Sequence, residues 1–175
     1  MPMIDAFIPE GALKPEAEAR LMKEITEILL QHEEDIEPAN ELAQAVSVCF
    51  LHRPTVYVAG VPAKTPCYRF ITSVPEGQYN GDAVMQSLVR GVTEAVARAE
   101  GGAFEEVSPR VWVFPNEVPE GRWGARGVIR RLHEILAFIS GENASRAAKE
   151  RLTSRRTARA LEVLATVLHA AGRNS

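Results

Sequence analysis

Two segments of this chain end in the same three residues. Pro2-Met3-Ile4-Asp5-Ala6-Phe7-Ile8 runs into Pro9-Glu10-Gly11, and Pro66-Cys67-Tyr68-Arg69-Phe70-Ile71-Thr72-Ser73-Val74 runs into Pro75-Glu76-Gly77. A short apolar run closed by a turn reads as a strand. Internal repetition of this kind restricts the chain to architectures that use one supersecondary unit twice. A helix pattern follows each run. In the first, Pro15 suits the opening helical position, Glu16 and Glu18 suit the positive end of the dipole, and Leu21, Met22, Ile25, Ile28 and Leu29 share one face. In the second, Asn80 or Asp82 is the expected cap, Met85, Leu88, Val89, Val92 and Val96 form the stripe, and Gly101-Gly102 is the stop.

A strand is expected after each helix. Residues 45–51, with an extension at 55–59, serve the first half, and Arg110-Val111-Trp112-Val113-Phe114 serves the second. Each strand–helix–strand unit makes a parallel pair with a right-handed crossover. The predicted fold is therefore α+β. Two fused β-α-β units, 1–64 and 65–140, form one four-stranded sheet with both helices on one face. Residues 141–175 form a C-terminal helical extension, with Leu152, Leu161, Leu164, Val167 and Leu168 at roughly helical spacing. The uncovered sheet face calls for self-association.

The charge balance of −3 gives no reason to expect nucleic acid or an anionic membrane as partner, and Arg151, Arg155, Arg156 and Arg159 read as a solvated face. Cys49 and Cys67 form no C-x-x-C pair, which argues against a metal framework and for a reducing compartment. The start lacks the features of a signal peptide, and no apolar run approaches the ~18 residues of a membrane span. A cytoplasmic protein is expected. His32 and His133 have no metal-spaced partner and read as structural.

Pro2 carries the chemistry. Removal of Met1 would expose a secondary amine at the start of a strand, whereas an internal proline nitrogen has nothing to titrate. An α-amino group titrates near ~8, and burial or nearby cations bring it toward neutrality, where a general acid–base works best. The opening from Pro2 to Gly11 resembles that of 4-oxalocrotonate tautomerases. The segment Val111-Trp112-Val113-Phe114-Pro115-Asn116-Glu117-Val118-Pro119-Glu120-Gly121-Arg122-Trp123-Gly124-Ala125-Arg126-Gly127 resembles their last strand and carboxy-terminal hairpin. Over about residues 2–140 the chain resembles the fused members of the tautomerase superfamily.

The resemblance implies a homotrimer, a cofactor-free site and Pro2 as proton carrier for a small enol or α-keto acid. Pro66 opens the second repeat but is internal, so one active site per chain is expected. Trp123 matches the aromatic that walls the family's pocket, and Glu117 a hairpin position. The arginines that hold dicarboxylates do not carry over. Ala12 follows the first Glu-Gly turn, and Ser47 and Trp112 stand at the strand positions. Arg53 and Arg126 are the candidates for holding an anionic substrate, and Glu41 could match an acid of decarboxylase-like relatives. Tautomerisation is the leading reading. Hydration or decarboxylation of a small unsaturated or oxo acid is the alternative, as is a non-catalytic oligomeric scaffold that has lost its substrate clamp.

Overall fold

A computed structural model describes residues 2–172. Strand β1 (Met3–Phe7) leads through the Glu10-Gly11 turn to α1 (Pro15–Gln31), then α2 (Glu41–Ala45), β2 (Val48–His52) and a small hairpin of β3 (Tyr57–Val58) and β4 (Val61–Pro62). The second half repeats the plan with β5 (Tyr68–Pro75), α3 (Asp82–Glu100), the one-turn α4 (Phe104–Val107) and β6 (Val111–Val118). A hairpin of β7 (Trp123–Ala125) and β8 (Val128–Arg130) follows, then α5 (Leu132–Ser140) and α6 (Glu142–Gly172).

The main sheet has the order β2-β1-β5-β6. Both β1–β2 and β5–β6 are parallel, and β1 and β5 meet antiparallel with Asp5 opposite Ile71. The two halves thus join through their first strands. Alternation decides what each face receives. Ile4, Ala6 and Ile8 of the first half, with Tyr68, Phe70 and Val74 of the second, meet Leu21, Ile25 and Leu29 of α1 and Leu88, Val92 and Val96 of α3. The opposite face carries Val48, Phe50, Trp112 and Phe114, all exposed in the single chain. The guanidinium of Arg69 lies 4.9 Å from the Phe7 ring centroid and 5.5 Å from that of Phe114.

Local details depart from the sequence expectations. Residues 45–47 are not in the strand. Asn40 Oδ1 accepts the Ala43 backbone N–H at 3.0 Å and caps α2, so the strand starts only at Val48. The expected extension at 55–59 folds into the β3–β4 hairpin, outside the main sheet. On the other side β6 runs past the expected end through Pro115 to Val118, which an edge strand tolerates. Neither Asn80 nor Asp82 caps α3 with its side chain. Gly81 holds that position at φ +88°, where a side chain would be strained.

The extension is helical through Gly172, the rest of it lying outside the described residues. Its first turns bury Ser145, Ala148 and Leu152. Its arginines anchor it to both repeats. Arg151 donates to Gly77 O at 3.0 Å and to Asp35 at 2.6 Å, Arg155 grips Glu117 at 2.6 and 2.8 Å, and Arg156 grips Glu76 at 2.8 and 3.2 Å. From Thr153 to Ala170 every residue is exposed, with Leu168 at 71%. No helix among the described residues is long and apolar enough to cross a membrane.

Two ion pairs predict the acid response of the fold. Arg53 holds the Glu18 carboxyl below its ordinary range, and Arg156 does the same for Glu76. A depressed carboxyl contributes stability above its unfolded pKa of about 4.3 and loses it as pH falls through the lower folded value. The urea midpoint is expected to be nearly flat from about pH 7 to 5 and to fall below about pH 4. Arg156→Ala should remove part of that fall.

Candidate active site

Sheet topology brings distant parts of the chain to the start of β1. Pro2 is buried, and its carbonyl accepts the Val48 N–H at 3.2 Å. Because β5 runs antiparallel to β1, Ser73 lies opposite Met3, and the turn at 76–79 comes to the same end of the sheet. The C-terminal end of α1 arrives there too. Glu33, 4% exposed, accepts from Gln78 Nε2 at 3.1 Å, and Glu34 N donates to Gln78 O at 3.1 Å. Burial pushes the Glu33 carboxyl up, against the smaller opposing pull of the Gln78 amide. Glu117 braces this turn by accepting from Gly77 N at 3.0 Å and Tyr79 N at 3.1 Å.

A cavity of about 330 Å³ opens beside Met3. Its walls are Met3, Val46, Val48, Ala125, Ile135 and Phe138, and its polar groups come from Arg126, Arg130 and Glu134. The β7–β8 hairpin supplies both cations. Arg126 and Gly127 form its tip, both at positive φ (+53° and +77°), as a tight two-residue turn requires. The Arg126 guanidinium sits 5.7 Å from the Phe138 ring centroid. Arg130 is paired with Trp123 across the hairpin. Among the described residues neither Arg126 nor Arg130 is in an ion pair. Glu134 is engaged at the start of α5, where its carboxylate accepts Arg131 N at 2.7 Å. That backbone hydrogen bond holds its carboxyl below the usual range.

The residues singled out from sequence do not all gather here. Arg126 lines the cavity. Trp123 is 7% exposed and packs in a second core with Leu30, Leu132, Ile135 and Leu136, with Met3 against its edge. It fixes the hairpin to the body from behind the cavity wall. Glu41 is exposed at the start of α2, and only Val46, just beyond the other end of that helix, reaches the cavity. Arg53 follows His52, which pairs with Phe7 at the far end of β1. Five residues of strand put it roughly 17 Å from Pro2 within the chain. It is held by Glu18 at 2.5 and 2.7 Å.

Arg130 and Glu33 were not singled out from sequence. For Arg130 the signal was available, since the hairpin register that selects Trp123 also selects its cross-strand partner. Glu33 carries no such mark, because its burial depends on the turn at Gln78, 45 residues away.

No family model and no curated protein matches this chain. Solved structures share its fold. A fused 4-OT described as a wild-type symmetric trimer superposes with a TM-score of 0.57 at 18% identity, over 73% of this chain and 94% of that one. Pt0534 inactivated by 2-oxo-3-pentynoate gives the same TM-score, identity and coverage. N1, a member of the cis-3-chloroacrylic acid dehalogenase family, gives 0.57 at 15% identity over 82% of this chain and 98% of its own.

Proposed function

We propose that this chain, which has the fold of the fused 4-oxalocrotonate tautomerase-like proteins, is a tautomerase whose Pro2, freed by removal of Met1, moves a proton between oxygen and carbon of a small enol or 2-oxo acid. The observation that supports this most is the largely apolar cavity beside β1 that takes Arg126 and Arg130 into its lining. Met3, Val46, Val48 and Phe138 give the cavity an apolar lining, and the guanidinium groups offer charge-assisted hydrogen bonds to a substrate carboxylate. Two arginines on one cavity wall, with Glu134 beside them, are what a clamp for a small carboxylate requires.

The neighbour inactivated by 2-oxo-3-pentynoate is one that a small 2-oxo acid reaches. Self-association into a trimer is part of the proposal. It is supported by the exposed Phe50, Trp112 and Phe114 face and by the trimeric fused neighbour. Hydration of a small unsaturated acid is the second reading. Glu134 supports it, because a carboxylate beside the cavity could orient a water.

The test has two steps. Intact mass shows whether Met1 is absent, and ketonisation of phenylenolpyruvate and 2-hydroxymuconate is then followed by ultraviolet absorbance. At least one is expected to be accelerated. Arg126→Ala and Arg130→Ala are each expected to raise KM by roughly tenfold with little change in kcat, as for a group that binds ground and transition states equally. No acceleration of either enol by the processed protein overturns the proposal.

A further inference from the structure

Helix α6 is held at its start and bare beyond. Its first turns bury Ala148 and Leu152, and its side chains reach the body as far as Arg156, which holds Glu76. Among the described residues no later side chain of α6 bonds to another element. Yet the helix continues to Gly172. A helix in water draws most of its stability from packing an apolar face. In this outer part Leu161, Val163, Leu164, Val167 and Leu168 are each more than half exposed. They begin about 8 Å past Arg156 and end about 18 Å past it, at 1.5 Å per residue.

The placement of these residues around the helix is ordered. Leu161, Leu164 and Leu168 follow the i, i+3, i+7 spacing and form one line. Val163 and Val167, four apart, form a second line roughly 110° round the helix. Ala160 falls between the two lines, where a small side chain lets a neighbouring backbone approach. Arg159, Glu162, Thr166 and His169 all fall on the remaining side. Both apolar lines and the strip between them are therefore free of charge. One partner helix covers one line. Two lines about a third of a turn apart suit a helix flanked by two others, as in a three-helix bundle.

We propose that residues 160–170 of α6 form an interface between copies of this chain, each helix packing along the same stretch of two others about a threefold axis. Packing a surface on itself sets every charge near its own copy, and like charges so placed are costly. Here Arg159, Glu162 and His169 lie away from both apolar lines, so self-packing brings none of them together. A helix that lies on a membrane carries lysine and arginine on its polar face. Residues 160–170 contain neither, and Glu162 is among their polar residues. The bare sheet face, with Phe50, Trp112 and Phe114 exposed, independently calls for further copies of the chain. The helix interface is separate from that face, since α6 leaves the body beside Glu76 and Glu117, where β5 and β6 finish. It does not depend on the chemistry of Pro2.

The experiment is cysteine cross-linking in the full-length protein. Leu164→Cys lies on the leucine line and Thr166→Cys on the polar side, and both positions are exposed in the single chain, so neither change disturbs its core. A disulfide needs two Cα atoms within about 7 Å. Under mild copper-catalysed air oxidation Leu164→Cys is expected to run at twice the mass of one chain on a non-reducing gel. Thr166→Cys and the parent, whose Cys49 and Cys67 are partly buried, are expected to run as single chains. Sedimentation supplies the second readout. Leu161→Asp/Leu168→Asp puts charges into the apolar seam and is expected to raise the concentration at which the assembly dissociates by roughly tenfold or more. No linking at position 164, or equal linking at 164 and 166, overturns the inference. So does an assembly that the double aspartate variant leaves unchanged. Flotation of the parent with anionic phospholipid vesicles, lost in that variant, overturns it in favour of a membrane surface. Each of these results leaves the sheet-face trimer and the Pro2 chemistry standing, since those are read by Phe50→Asp and by enol ketonisation.

Discussion

Pro2→Ala is expected to lower kcat/KM for enol ketonisation by roughly 10²-fold or more, the usual size of a general acid–base contribution. The substitution tests chemistry and not folding. Pro2 contributes no backbone N–H to the sheet, and its carbonyl, which accepts from Val48 N, is unchanged in alanine. The melting temperature should therefore stay close to that of the unmodified protein while the rate falls. Alanine leaves a primary amine in place, so a residue of activity is expected to survive. A variant that retains Met1 goes further. It turns the proline nitrogen into an amide with no titratable lone pair, and its rate should fall to background. The proposed role of Pro2 is wrong if Pro2→Ala ketonises as fast as the parent.

Phe50→Asp is expected to convert a trimer into a species sedimenting at the 19.2 kDa of one chain. In the single chain Phe50 is 48% exposed on the bare face of the sheet, so the folded monomer loses little when it is replaced. In an assembly with the sheets facing inward it would be desolvated with Trp112, Phe114 and Val48. An aspartate there would carry an unpaired charge into an apolar interface. Asp5 lies directly opposite in the β1–β2 register and adds a like charge. Far-ultraviolet circular dichroism should be retained while the sedimentation coefficient drops. Wild-type protein that runs as a stable monomer at micromolar concentration would rule out the trimer, and Phe50→Asp that stays trimeric would show that another surface holds it together.

Much of the architecture is local and could be read from the chain. The helices show themselves because Leu21, Ile25 and Leu29, and Leu88, Val92 and Val96, recur at helical spacing whatever they touch. Pro15 at the first position of α1 and Gly101 at the end of α3 act through their own backbone geometry. The repeated Pro-Glu-Gly turns place two like units in one sheet, and chirality makes each unit a parallel pair. What those rules miss is also local but weaker. Asn40 caps a helix of five residues at Glu41–Ala45, which takes Ala45 out of the stretch that reads as strand and delays β2 to Val48.

The site is a different matter, because its members are joined by pairing between distant segments. Parallel pairing sets Val48 against Met3, antiparallel pairing sets Ser73 there, and Gln78 is then carried to Glu33. The hairpin at 123–130 folds back so that Arg126 and Arg130 share a cavity with residues 3, 46 and 48. Arg53 looked equally suitable in the sequence, but parallel strands run the same way and leave it at the opposite end of β1, tied to Glu18. Charge type and strand position were written in the sequence. Which arginines are neutralised by a carboxylate and which are left in an apolar cavity was decided only by the tertiary fold, because ion pairing depends on distances that the register of the sheet sets.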